Sequence, residues 1–411
     1  MANHNAQGKI PNVAQHGFGS FRTDLFGRIK VSDAFTIFDS SHRYQASQDF
    51  DEEVSGAGAV NFVSSESSLI LSVGTAQGDK ATLESYKIFP YQPGKSLQVM
   101  QTFVMDAARA GLRQRVGYFS RENGVYLEVD GTNVYLVLRS SVSGEVVETR
   151  VAQEDWNTDQ LNGDGPSDYV LDLSKGQIFW SEYEWLGVGS VRCGFAINGY
   201  FIPVHQFNHA NNIDSVYMTT ASLPLRYEIE NVTAQPDSSR LKQVCATVIS
   251  NGGYLKGSDV WTAVRPADVV EEDFFPLIAI RMKAGRTDSV IVPELINIFP
   301  VSNEDFEWAL IKNPTTLTGG SWVTSSPRNN VEYNITCTGL TGGTPTLEGF
   351  FGAGNHSAVP VNYGEVRNFN LQLGRTNSSS PVSDVYVLAA RVTPGSNNGT
   401  VKSSLSWFDL I

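Results

Sequence analysis

The stretch VRCGFAINGYFIPVHQF, residues 191–207, holds two apolar, alternating runs on either side of Asn198-Gly199. A type I′ turn needs positive φ at both central residues, and Asn-Gly is the pair that best tolerates it, so the stretch predicts a β-hairpin. Val191, Cys193, Phe195 and Ile197 recur at every second position and predict one core-facing row. GVYLEVDGTNVYLVLR, residues 124–139, repeats the pattern. Val125, Leu127 and Val129 share a face, Asp130-Gly131 supplies the turn, and Val134, Leu136 and Leu138 continue.

Strand signals recur outward from these hairpins at short spacing. SLILSV (68–73), LQVMQTFVM (97–105), DYVLDL (168–173), QIFWSEYEWLGV (177–188), VYMTTA (216–221) and LRYEIENV (225–232) all read as strands. LKQVCATVIS, FPLIAIRM, SVIVPELINIFP, FEWALIKN and VYVLAARV follow, punctuated by Gly-Gly, Asn-Pro and Ser-Pro. VMDAARAGL (104–112) offers at most one helical turn, and no window sustains a helical period beyond two turns. The expected fold is all-β: two β-sandwich or jelly-roll domains in tandem, preceded by an extended N-terminal arm. The polar, proline-containing TAQPDSSR (233–240) suggests a boundary. The expected domains are an arm over 1–44, a first sandwich over 45–235 and a second over 236–411.

Composition narrows the function. The 411 residues are 41% hydrophobic and 18% charged, with 37 glycines, which suits many strands joined by many turns. The charged share is below the roughly 25% of an ordinary soluble protein. The net charge is −13 and no basic cluster occurs, so neither nucleic acid nor an anionic membrane is an expected partner. No apolar run is long enough to span a bilayer. The opening residues MANHNAQGKIPNVAQ carry no apolar secretion core. Cys193, Cys245 and Cys337 are too few and too scattered for a disulfide framework or a zinc site, which fits assembly in a reducing cell interior.

Tests for chemistry come out negative. PGKS (93–96) resembles the end of a phosphate loop, but Phe89 stands where its first glycine belongs. No G-x-S-x-G elbow is present. His205 and His209 have zincin spacing, but Gln206 replaces the glutamate and the segment reads as strand, so they read as polar histidines at a strand end. DFDEE (49–53) and the turn-rich 155–168, with Asp155, Asp159, Asp164 and Asp168, could supply oxygen ligands to calcium, but both read as solvated acidic loops. Glu182 and Glu184 share a strand face at a spacing a glycosidase could use, yet they alternate with Tyr183 and Trp185 as in a half-buried strand. No catalytic, cofactor or metal residue is expected. Among the tryptophans, Trp156 and Trp322 lie in turn-rich text and are the candidates for exposure.

Several blocks resemble, in order, a family of virion structural proteins of tailed bacteriophages. They are FGRIKVSDAFTIFDSSHRY (26–44), YQPGKS (91–96), RVGYFSRENGVYLEV (115–129), EYEWLGVGSVRCGFAINGYFIPVHQFNHAN (182–211), LPLRYEIEN (223–231) and DVYVLAARVTPGSNNGTVKSSLSWFDL (384–410). The resemblance implies a non-enzymatic β-sandwich component of the tail, baseplate or capsid, assembled in the host cytoplasm as a homo-oligomer among other virion proteins. It carries no catalytic motif or cofactor. The alternative is a host-attachment protein that binds a surface glycan. On either view Phe18, Phe21, Phe26, Trp156, His205, His209 and Trp322 are the expected interface or ligand contacts.

Overall fold

The computed structural model describes residues 34–253, 259–352, 359–362, 369–376 and 380–410. Phe18, Phe21 and Phe26 lie outside the described residues. Among those described there is no α-helix, only short 3-10 turns, and every strand pairing is antiparallel. The all-β expectation therefore holds.

The chain divides into two compact units. The first comprises residues 1–85 and 89–255, and the second comprises 86–88 and 256–411. Strands of the first unit are β1 (Ala34–Ser41), β2 (Phe50–Ser55), β3 (Ala59–Val63), β4 (Ser68–Val73), β5 (Lys80–Ser85), β6 (Ser96–Val104), β7 (Leu112–Phe119), β8 (Gly124–Asp130), β9 (Asn133–Ser140), β10 (Val147–Ala152), β11 (Gln177–Tyr183), β12 (Val191–Ile197), β13 (Tyr200–Phe207), β14 (Leu225–Asn231) and β15 (Ser239–Asn251). They form one sheet in the order β13-β12-β11-β6-β15-β4-β3, with β1 also on β15, and a second in the order β10-β9-β8-β7-β14-β5-β2.

The two sheets face each other across aromatic side chains. Tyr118 of β7 packs on Tyr183 of β11 with ring centroids 5.0 Å apart, and the Tyr183 hydroxyl donates to the Val125 carbonyl of the opposite sheet at 3.3 Å. Val191, Cys193 and Phe195 are fully buried, as the alternation requires, while Ile197 at the strand end is half-buried. Asn198 and Gly199 have φ of 52° and 81°, so the turn is type I′. The other hairpin turns one residue later than expected. Asp130 pairs with Asn133, Gly131 has φ of 64°, and Thr132 keeps negative φ, which is a type II′ turn with glycine first.

Three expectations change here. The boundary at 235/236 falls inside the first unit, because β15 is a central strand of its first sheet. TAQPDSSR is a pinned turn rather than a linker. The Gln235 amide donates to the Thr75 carbonyl, and Gln235 Nε2 donates to the Ala110 carbonyl. The arm ends before Ala34, since residues 34–41 pair with β15. Finally, 216–221 and 168–173 form no strand, apart from an isolated bridge between Val170 and Asn162, and 104–112 contains no helical turn.

The second unit contains β16 (Asp259–Val270), β17 (Phe275–Met282), β18 (Val290–Pro300), β19 (Phe306–Lys312), β20 (Thr316–Thr318), β21 (Val331–Asn334), β22 (Gly339–Thr341), β23 (Thr344–Phe351), β24 (Val359–Asn362), β25 (Val385–Val392) and β26 (Gly399–Leu410). They form sheets in the orders β16-β26-β18-β24 and β21-β17-β25-β19-β23, plus the pair β20-β22. Trp407, Phe306, Ile280, Leu388 and Leu405 are core side chains packed into one cluster.

Candidate functional site

The sequence directs attention to the end of β13, and the structure makes that end scaffold. Residues 153–161 fold back along β13, with the amides of Thr158 and Asp159 both donating to the Val204 carbonyl. That wrap buries Trp156, whose Nε1 donates to the Val151 carbonyl at 3.3 Å. His205 lies beneath the same loop and accepts the Asn157 amide at Nδ1, at 3.3 Å. His209 donates from Nδ1 to the Gly189 carbonyl at 2.7 Å and stacks on Tyr217, with ring centroids 3.9 Å apart. Both histidines are buried, and each has its own partners rather than a shared ligand. Trp322 is half-buried against the cluster of Ala279, Cys337 and Val387, with the Arg281 guanidinium 4.1 Å above its ring. All four contact their own chain.

Burial pushes the His205 imidazole down to about 4. The neutral ring is favoured in the fold, while the unfolded chain takes up a proton below about 6.5. The contribution is complete above that pH and is lost as pH falls toward 4. Wild-type protein should lose on the order of 3 kcal/mol from this group across that window. His205→Gln keeps an acceptor for the Asn157 amide and should flatten the fall, read as urea midpoints from pH 7.5 to 4.5. An unchanged slope would remove the assignment.

The acidic groups are also bonded into the chain. DFDEE is not a loop: Phe50–Ser55 is an edge strand on β5. Asp159 is buried and accepts the amides of Leu161 and Ser167, bracing its own loop. Glu182 accepts from Ser96 at 2.9 Å and pairs with Arg192, while Glu184 lies past the strand end and is exposed. Among the described residues no group of three or more His, Cys, Asp or Glu is placed to hold a metal.

A charge network covers the face of the second sheet turned away from the core. In register, Glu84, Arg226, Gly117 and Tyr126 are neighbours across four strands, and Thr82, Glu228, Arg115 and Glu128 form the next row. Arg115 donates to Glu128 at 2.6 Å and to Glu228 at 3.1 Å. Arg226 donates to Glu84 at 2.6 Å and to Glu228 at 2.8 Å. Arg150 reaches Glu128 at 2.6 Å, and Arg139 reaches Glu148 at 2.6 Å. Burial alone would raise Glu228, but Arg226, Lys80 and Arg115 bring it well below the usual carboxylate range. Burial likewise opposes Glu148, yet hydrogen bonds from Arg139 and Tyr126 lower it to about 2. A glycosidase acid must hold its proton near neutrality. These two carboxylates are held ionised.

The exposed feature of the opening hairpin is its tip. Tyr200 is 68% exposed and Phe201 48%. Phe201 packs on Trp180 with ring centroids 5.8 Å apart, and Trp180 lies over Gly194 on the neighbouring strand. Asn198 Nδ2 donates to the Tyr169 hydroxyl at 3.1 Å, fixing the turn against the 169–170 loop. Tyr200 and Phe201 are consecutive on β13 and project from opposite faces of it, so each offers a single exposed ring of the kind that packs on a sugar ring or a partner side chain. The sequence signal was available: Tyr-Phe directly follows the Asn-Gly turn, where a hairpin outruns its sheet neighbours.

No family model matches the chain, and no curated protein matches it. Solved structures similar to it include a protein of unknown function from Shewanella oneidensis MR-1, at 9% identity and a TM-score of 0.36, covering 63% of this chain and 98% of the other. A family 16 glycoside hydrolase, an endo-glucanase from Bacteroides ovatus, is 9% identical with a TM-score of 0.36, covering 52% and 99%. The Emp47p carbohydrate recognition domain is 10% identical with a TM-score of 0.35, covering 57% and 100%. The chain itself is all-β, built of antiparallel sheets.

Proposed function

We propose that this chain is a non-enzymatic structural component of a bacteriophage virion, assembling as an oligomer on the tail, baseplate or capsid. The observation that carries this is the fate of its reactive side chains. Glu128 and Glu228 are paired with arginines, His205 and His209 are buried and bonded to their own chain, and Cys193 and Cys337 are buried. Groups that could do chemistry are used to hold strands together. The six sequence blocks that resemble tailed-phage virion proteins add to this. Residues ahead of β1 are the proposed docking segment for another virion protein.

The test is location. The chain should co-sediment with purified particles, and gold-labelled antibody should mark one fixed place on them. Particles that lack the chain would overturn the proposal. A carbohydrate-binding role in host attachment is the second reading, favoured by the exposed rings of Tyr200 and Phe201 at the hairpin tip. Glycan-array binding that disappears in Tyr200→Ala/Phe201→Ala would support it, and binding that persists would remove the tip as the site.

A further inference from the structure

Among the described residues, β16 pairs on one side only, with β26, and is an edge of its sheet. An edge strand presents unpaired amides and carbonyls to any incoming strand. Proteins commonly blunt such edges with charge, proline or a bulge. Here Pro266 and the register shift between Arg265 and Asp268 blunt the C-terminal half. The N-terminal half, Asp259–Arg265, has neither, and its outward side chains are Val260, 55% exposed, Thr262, and Val264, 59% exposed.

We infer that this half-strand pairs with its own copy across a twofold axis at Thr262. Two edge strands in one continuous antiparallel sheet are related by an axis perpendicular to it. Opposed residues then share a face, so the axis must pass through a residue and not between two. Centring on Thr262 sets Val260 against Val264 twice and Asp259 against Arg265 twice. Apolar side chains therefore meet on the outer face, while Arg265 stays buried on its own chain, bonded to Asp268 and to the carbonyls of Pro276, Leu277 and Cys337. Centring on Val264 instead places Pro266 in the ladder opposite Thr262 and sets Val260 against Asp268. Of these two registers, the one centred on Thr262 pairs the exposed valines with each other and keeps Pro266 from opposing Thr262. The pairing joins the β18-β26-β16 sheets of two copies into one. The partner is thus a second copy of this chain, held by backbone hydrogen bonds and two Val260–Val264 pairs that flank the Thr262 pair. This dimer does not depend on where the chain is used.

The axis makes a specific test. Residues opposed at Thr262 have Cα atoms within the 4.4–6.8 Å that a disulfide spans. Full-length Thr262→Cys should form a disulfide-linked dimer under mild oxidation, reversed by reductant. Wild type and Val269→Cys, exposed but off the axis, should not. Adding Val264→Lys to Thr262→Cys should cut the linked product about tenfold or more, and Val264→Lys alone should shift the sedimenting mass from dimer to monomer. Circular dichroism confirms that each variant is folded. A folded Thr262→Cys that stays unlinked, equal linkage by Val269→Cys, or a dimer mass unchanged by Val264→Lys would overturn the inference.

Discussion

Arg115→Ala should destabilise the first unit by about 3–5 kcal/mol, the usual cost of removing one partner from a buried ion pair. Arg115 lies between the carboxylates of Glu128 and Glu228, and all three are buried. Without it, two buried carboxylates keep part of their cationic environment but lose their shared donor. Equilibrium urea denaturation at pH 7 measures the loss. Arg115→Met/Glu128→Leu removes the charge from both sides and should recover much of it, because an apolar replacement of a buried pair is often close to neutral. A loss below about 1 kcal/mol for Arg115→Ala would mean that the network is solvated like an ordinary surface pair.

Gly194→Ala should cost about 3 kcal/mol, at the upper end for overpacking, because neither obstruction is a flexible side chain. A Cβ at this position would lie 2.1 Å from the Ile202 carbonyl oxygen and 2.5 Å from the Trp180 ring. The glycine is needed for close approach: the indole of β11 lies over the β12 backbone at a bulge. Placing the same substitution in a Trp180→Phe background separates the two clashes. The smaller ring should recover part of the loss, and the remainder belongs to the carbonyl. Additive losses would place the ring outside the effect. The variant also tests the hairpin tip, since Phe201 rests on that indole.

Local chemistry was the legible part. Asn198-Gly199 and the Val191–Cys193–Phe195 row follow from turn sterics and a period of two, which need no knowledge of neighbouring strands. What depended on distant partners was not. Arg115, Glu128 and Glu228 look like the outward half of an alternating strand. Their burial comes from meeting each other across β14, β7 and β8, a register no local pattern states. Trp156 looked exposed because its text is turn-rich, and His205 read as a polar histidine at a strand end, yet loop 153–161 closes over β13 through two bonds to one carbonyl. TAQPDSSR reads as a linker by composition, but its glutamine is fixed by residues more than 100 positions earlier in the chain. The tip aromatics were missed for the opposite reason. Tyr200 and Phe201 continue an apolar run, and among the described residues β13 is the edge of its sheet, which no local pattern states.

The placement of β15 governs when the first unit can form. One edge of this strand is divided, with Ser239–Gln243 on β4 and Cys245–Asn251 on β1, while its other edge carries β6. Thr36 therefore waits for Ile249 before it has a partner. During synthesis the hairpins can close as they appear, but the sheet that buries their apolar rows cannot be completed until about residue 251 has emerged. Such high contact order makes slow folding the expectation. In the interval β1 waits for its partner, and β4 and β6, already paired with β3 and β11, each keep one edge open to capture by the wrong neighbour until the last strand of the unit arrives.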